Sequence, residues 1–131
     1  MAPFTSTEIR GLRILLADDE IFIREMGSDV QTMLGCKPTV AADGRETWEF
    51  FQKDPNGFDV IISDYNMPEM TGIDLASCVM TIKPNMPFII SSGFAEKQAE
   101  DLGISCILPK PYVIQQLKDA ITEARTNAAN A

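Results

Sequence analysis

Histidine is absent from these 131 residues. That removes Ser-His-Asp and Cys-His nucleophilic catalysis and most catalytic zinc sites, and it leaves the chain no histidine of its own from which to donate a phosphoryl group. Cysteine is scarce: Cys36, Cys78 and Cys106 are odd in number, far apart and without a Cys-x-x-Cys pair. This excludes a disulfide framework and a zinc cluster, and it suits reduced thiols in or near a core. Positive charge is also short. Eleven basic residues stand against nineteen acidic ones, for a formal charge of -8, and no basic cluster is visible. Nonspecific binding to nucleic acid or anionic lipid is therefore disfavoured. The apolar runs are a handful of residues each, far short of the roughly 20 that span a bilayer. The opening run from Met1 to Thr7 lacks the basic start and apolar centre of a signal peptide. A cytoplasmic chain that touches neither membrane nor nucleic acid directly is expected.

What is present is an alternation. Apolar runs at Arg13 to Ala17, Pro38 to Ala42, Phe58 to Ser63, Pro87 to Ser92 and Ile104 to Leu108 are rich in β-branched residues and bounded by turn formers, as strands are. Helical spacing lies between them. Phe22, Met26, Val30 and Met33 mark one side of Glu20 to Leu34, which Gly35 ends; Trp48 and Phe51 mark Arg45 to Lys53, before the Asp54-Pro55-Asn56-Gly57 stop. Leu75, Val79 and Ile82 form the next stripe, Ala95 to Leu102 is a shorter candidate, and Ile114, Leu117, Ile121 and Ala124 form the last, before a tail from Thr126 expected to fray. Five strand-helix repeats imply a parallel sheet with helices on both faces, a three-layer α/β sandwich in one domain. Ligands in such sheets sit beyond the carboxyl ends of the strands.

Those strand ends carry Asp18 and Asp19, then Asp64, then Ser92 with Ser91 beside it, then Lys110. Three carboxylates, a hydroxyl and an ammonium converge. The mutual repulsion of clustered carboxylates is relieved by a divalent cation, and an all-oxygen ligand set suits magnesium, which keeps several waters and favours sites completed by phosphate. One carboxylate can then attack phosphorus while the cation and the ammonium neutralise the transferring group. Asp64 stands alone after a central strand and is the nucleophile on this reading; Asp18 and Asp19 form the metal pair, and Lys110 and the Ser92 hydroxyl hold phosphoryl oxygens. Each residue alone has a plainer role: the Asp pair as a helix N-cap, Asp64 as a solvated loop residue, Lys110 as a surface lysine, the serines as small turn residues. Their joint placement at four strand ends favours the chemical reading.

The segments LLADDE at 15–20, DVIISDYNMPEMTG at 59–72, PFIISSG at 87–93 and LPKPY at 108–112 resemble the response-regulator receiver family of two-component signalling, and together they span nearly the whole chain. REMGSDV, AADGRETWEFF and GISCILPKPYVIQQLKDAI look most like the receivers of hybrid sensor histidine kinases. The resemblance implies a flavodoxin-like (βα)5 fold with strand order 2-1-3-4-5, a flexible N-terminal segment at 1–10, a receiver domain at 11–126 and a C-terminal tail at 127–131. It implies Asp64 as phosphoacceptor, Asp18, Asp19 and Asp64 with the Asn66 backbone carbonyl as ligands of Mg2+ (or Mn2+), Ser92 as switch hydroxyl, and Lys110 as the phosphate contact before a cis bond to Pro111. Pro68 and Gly72 match the loop after the acceptor, where Gly72 permits a tight backbone.

The implied function is phosphoryl transfer from a phosphohistidine of a histidine kinase or histidine phosphotransfer domain onto Asp64, with a change of partner binding and weak or phosphorylation-dependent homodimer formation. Such a domain catalyses its own phosphorylation and dephosphorylation without being a conventional enzyme, and no kinase domain lies in these residues. Two positions depart from the pattern. Ile107 stands where receivers commonly carry an aromatic switch residue, and the segment from Ser92 to Lys110 is short, by roughly a helical turn. The rival readings are a phosphorylation-independent receiver-like binding module, an Asp-x-Asp phosphotransferase, which Asp64-Tyr65-Asn66 lacks the second acid to be, and a flavin protein, whose phosphate the Asp18-Asp19-Glu20 turn would repel.

Overall fold

The computed structural model describes residues 9–91, 107–108 and 112–129, without the side chains of Ile107 and Ala129. Five strands, β1 (Arg13–Ala17), β2 (Lys37–Ala41), β3 (Val60–Asp64), β4 (Phe88–Ser91) and β5 (Ile107–Leu108), form one parallel sheet in the order β2-β1-β3-β4-β5. The helices between and after them are α1 (Ile21–Met33), α2 (Gly44–Lys53), α3 (Gly72–Ile82) and α4 (Ile114–Ala129). This is the expected flavodoxin-like order. The segment Ala95 to Leu102 lies outside the described residues.

The three layers follow from the pleat. Successive side chains of a strand point to opposite faces, and a sheet covered on both sides needs both sets apolar. Ile14 and Leu16 join Val60, Ile62 and Ile89 on one face, beneath Leu117 and Ile121 of α4 and Met26 and Val30 of α1. Leu15 and Ala17 join Ile61 and Ile90 on the other, beneath Phe51 of α2 and Leu75 and Val79 of α3. β3 and β4 are buried throughout, whereas the edge strand β2 is buried only at Ala41.

The helix ends are closed locally. Gly35, at φ 83, ends α1 with two reversed bonds, Gly35 N to Thr32 O at 3.0 Å and Cys36 N to Gln31 O at 2.9 Å, the Schellman arrangement that a left-handed glycine permits. Asp43 caps α2 by accepting from Glu46 N at 2.8 Å. Thr71 and Asp74 form a reciprocal capping box at the start of α3, each accepting from the other's backbone N–H at 3.1 Å.

Four expectations change. The side of α1 marked by Phe22 and Met33 faces out, at 82% and 73% exposure. At 100° per residue the buried residues Gly27 and Gln31 lie roughly 140° and 180° from Phe22, and the apolar stripe is the flank of that face. Ile82, at the end of the α3 stripe, is exposed as well. The N-terminal segment is not free as far as residue 10, because Ile9 is fully buried and its carbonyl accepts from Leu12 N and the Cys36 thiol. The tail does not fray from Thr126: α4 runs to Ala129, where alanine favours helix continuation. Cys36 and Cys78 are free thiols, as expected, and burial pushes the Cys36 thiol up from its ordinary range; Cys106 lies outside the described residues.

Candidate functional site

All five strands end at one edge of the sheet. Parallel pairing sets Ala17 beside Ala41 and Ser63, Asp64 beside Ser91, and Ser91 beside Leu108. The next residue after β1 and the last of β3 are aspartates, and both are buried, Asp18 at 2% and Asp64 at 6% exposure. With exposed Asp19 they form a cluster in which one carboxylate oxygen from each residue lies within 4.8 Å of the other two. Three oxygen donors at this spacing fit one hard divalent cation, so the donor set agrees with the magnesium expectation.

The turn between β1 and α1 is held at three points. Asp18 N donates to Ala41 O at 3.2 Å, the Asp18 carboxylate accepts from Glu20 N at 2.9 Å, and Arg24 Nη1 donates to the Asp18 carbonyl at 2.8 Å. The plainer capping role for the Asp pair is not what is seen. The N-cap of α1 is Glu20, whose side chain makes no capping bond, and the Asp18 carboxylate accepts from the N-cap's own N–H rather than from the first turn of the helix. Asp64 is likewise a buried strand terminus rather than a solvated loop residue.

The loop after Asp64 returns tightly. Tyr65 N donates to Ser91 O at 3.1 Å, and Gly72 N donates to Tyr65 O at 2.8 Å, closing the loop onto the first turn of α3. A Cβ at Gly72 would collide with the Asp64 carbonyl and come within 3.1 Å of the Ile90 side chain, so close approach of backbone is what position 72 requires. Within the loop Asn66 is exposed and Met67 is buried. Met70 N donates to Pro68 O at 2.7 Å, a three-residue turn centred on Glu69, the one non-glycine residue with positive φ among those described, at 68°. The Ser91 hydroxyl, at the end of β4, is buried with no hydrogen-bond partner among the described residues.

Asp18, Asp19 and Asp64 are thus brought together, with Asn66 two residues beyond the end of β3. Ser92, Lys110 and Pro111 lie outside the described residues, as does the side chain of Ile107. Arg24 was not anticipated. Its one available signal was a basic residue four positions after Glu20, a turn into the helix that follows the Asp pair.

The model of the response regulator receiver domain matches residues 14–122 of the chain. A probable chemotaxis protein CheY of Rhizobium etli is 35% identical over 118 residues, covering 84% of this chain and 89% of that protein. The sensor kinase CckA of Brucella abortus is 32% identical across 90% of this chain, which corresponds to 13% of the kinase. Among solved structures, a response regulator receiver domain protein from Clostridium thermocellum superposes with a TM-score of 0.81 at 28% identity, covering 91% of this chain and 98% of that one. Fold, acidic site and relatives agree: the chain belongs to the response regulator receiver domain family of two-component signalling. Its Asp18-Asp19-Asp64 pocket is of the kind receivers use to accept a phosphoryl group. No helix among the described residues is long and apolar enough to cross a membrane.

Proposed function

We propose that Asp64 is the phosphoacceptor of this receiver and that Asp18, Asp19 and Asp64, with the Asn66 carbonyl, hold Mg2+ or Mn2+. The observation that carries this reading is the convergence of three carboxylates from two strand ends within 4.8 Å, two of them buried. Burial keeps Asp64 at a fixed position on a central strand, which an in-line attack requires. A carboxylate oxygen of Asp64 forms the new bond to phosphorus, the bond from phosphorus to the donor nitrogen breaks, and an acyl phosphate results. The bound divalent ion supplies charge neutralisation on the phosphoryl oxygens. Lys110 adds a second positive charge, and the Ser92 hydroxyl binds the transferred group and carries its arrival to the loop that follows.

The donor on this reading is a phosphohistidine of a histidine kinase or histidine phosphotransfer domain, and the output is altered partner binding, including weak self-association. The match to a sensor kinase segment supports a place in a hybrid kinase relay, and the cytoplasm is the compartment where such a donor would be met. Mixing the chain with a histidine phosphotransfer domain carrying radiolabelled phosphohistidine tests the assignment. Label is expected to move to the wild-type chain and not to Asp64→Asn. Equal labelling of the two would remove Asp64 from the role.

A further inference from the structure

We propose that Arg24 is a positioning residue for the metal pair, acting through the backbone of Asp18 rather than through its own charge; this rests on the reading of Asp18 and Asp19 as metal ligands. Arg24 Nη1 donates to the Asp18 carbonyl at 2.8 Å in a partly buried setting. That carbonyl belongs to the peptide plane joining Asp18 to Asp19. Asp18 has other restraints, from Ala41 O on its N–H and from Glu20 N on its carboxylate. Asp19 is exposed and its side chain makes no hydrogen bond among the described residues, so the orientation of that plane is what aims it.

The guanidinium had alternatives. Glu25 and Asp29 line the same surface cleft as Arg24, yet the ion pairs among the described residues are Arg13 with Asp59 and Arg45 with Glu49. A cationic donor that spends its bond on one carbonyl makes a strong hydrogen bond, and removing it takes that charge-assisted bond from a carbonyl in a half-dry turn.

Charge and position predict opposite signs. Deleting a positive charge near a cation site would by itself tighten cation binding. Loosening the peptide plane that aims a ligand would weaken it, by about tenfold where outer-shell partners of metal ligands have been removed. Titration of the full chain with magnesium chloride by calorimetry separates the two, using wild type, R24M, R24Q and R24K. R24M keeps the apolar stem and loses the donor; R24Q loses the charge but keeps an N–H donor; R24K keeps both donor and charge. R24M is expected to bind Mg2+ about tenfold more weakly, R24Q by less, and R24K close to wild type. With acetyl phosphate, the Mg2+ concentration giving half-maximal phosphorylation of R24M rises by the same factor while the rate at saturating Mg2+ stays at the wild-type value. Folded R24M that binds Mg2+ as tightly as wild type, or more tightly, overturns the proposal; should R24M fail to fold, R24Q is judged by the same criterion. A wild-type chain that binds no Mg2+ overturns the metal reading itself, and Arg24's role with it.

Discussion

Glu69 shows how one residue departs from the preferences of its type. An L side chain at φ 68 brings Cβ towards the following carbonyl, a cost of about 1 kcal/mol that glycine does not pay. The turn from Pro68 to Met70 and the closure of Tyr65 onto Gly72 hold it there. Glu69→Gly is expected to stabilise the chain by no more than about 0.5 kcal/mol in urea unfolding, because the roughly 1 kcal/mol of relieved strain is offset in part by added unfolded-state entropy; a loss of stability of about 1 kcal/mol or more would show that the glutamate side chain makes a compensating contact. Nothing in the pattern DYNMPEMTG announces this strain, since its one glycine lies three residues on. The acids of the site were legible for a different reason. Asp18 directly follows an apolar run with Asp19 next to it, and Asp64 ends another, so chain position alone placed them at a strand end, whereas the Arg24 bond depends on a side-chain rotamer that no spacing encodes.

At the level of elements, α1 meets Tyr112, two residues before α4, at Gly27. A Cβ there would lie 2.6 Å from the Tyr112 hydroxyl oxygen and 2.8 Å from a Leu16 methyl. The glycine is a notch that leaves room beside α1 for the hydroxyl of Tyr112, two residues past Lys110, and for the Leu16 side chain of β1. Gly27→Ala is expected to be about 1 kcal/mol more costly in wild type than in a Tyr112→Phe background, because the phenyl ring leaves room the hydroxyl took. Additive effects in that double-mutant cycle would show that Leu16, not Tyr112, sets the notch. The same element shows the limit of periodicity: Phe22, Met26, Val30 and Met33 share a stripe, but a helix buries the face its neighbours cover, and Gly27 and Gln31 at its centre carry no hydrophobic signal. The strands read better because β1, β3 and β4 are covered on both faces and so appear as unbroken apolar runs.

Across the sheet, β1 and β3 are tied at their starts by Arg13 and Asp59. Arg13 N, Nε and Nη2 all donate to the Asp59 carboxylate, at 2.8, 3.2 and 3.1 Å, and Asp59 N returns a bond to Arg13 O at 2.7 Å. The hydrogen bonds from Arg13 hold the Asp59 carboxyl below its usual range. A carboxyl whose folded value is depressed contributes stability above its unfolded pKa of about 4 and loses it as pH falls through the folded value. The stability difference between wild type and Asp59→Asn is therefore expected to be constant above about pH 5 and to shrink below pH 4; a difference that persists at pH 2 would assign it to packing instead. The pair is half-exposed, so added salt is expected to reduce the difference.

The same sheet brings two strand ends, and with them three carboxylates, to one point on a chain that has no histidine. The most direct test of phosphoryl acceptance at that point is the intact mass of the chain after incubation with acetyl phosphate, with and without magnesium, beside Asp64→Asn. A gain of one phosphoryl group is expected that requires magnesium and is absent from the variant. An unchanged mass here, together with no transfer from a phosphohistidine donor, would contradict it and leave a receiver fold that binds partners without phosphorylation.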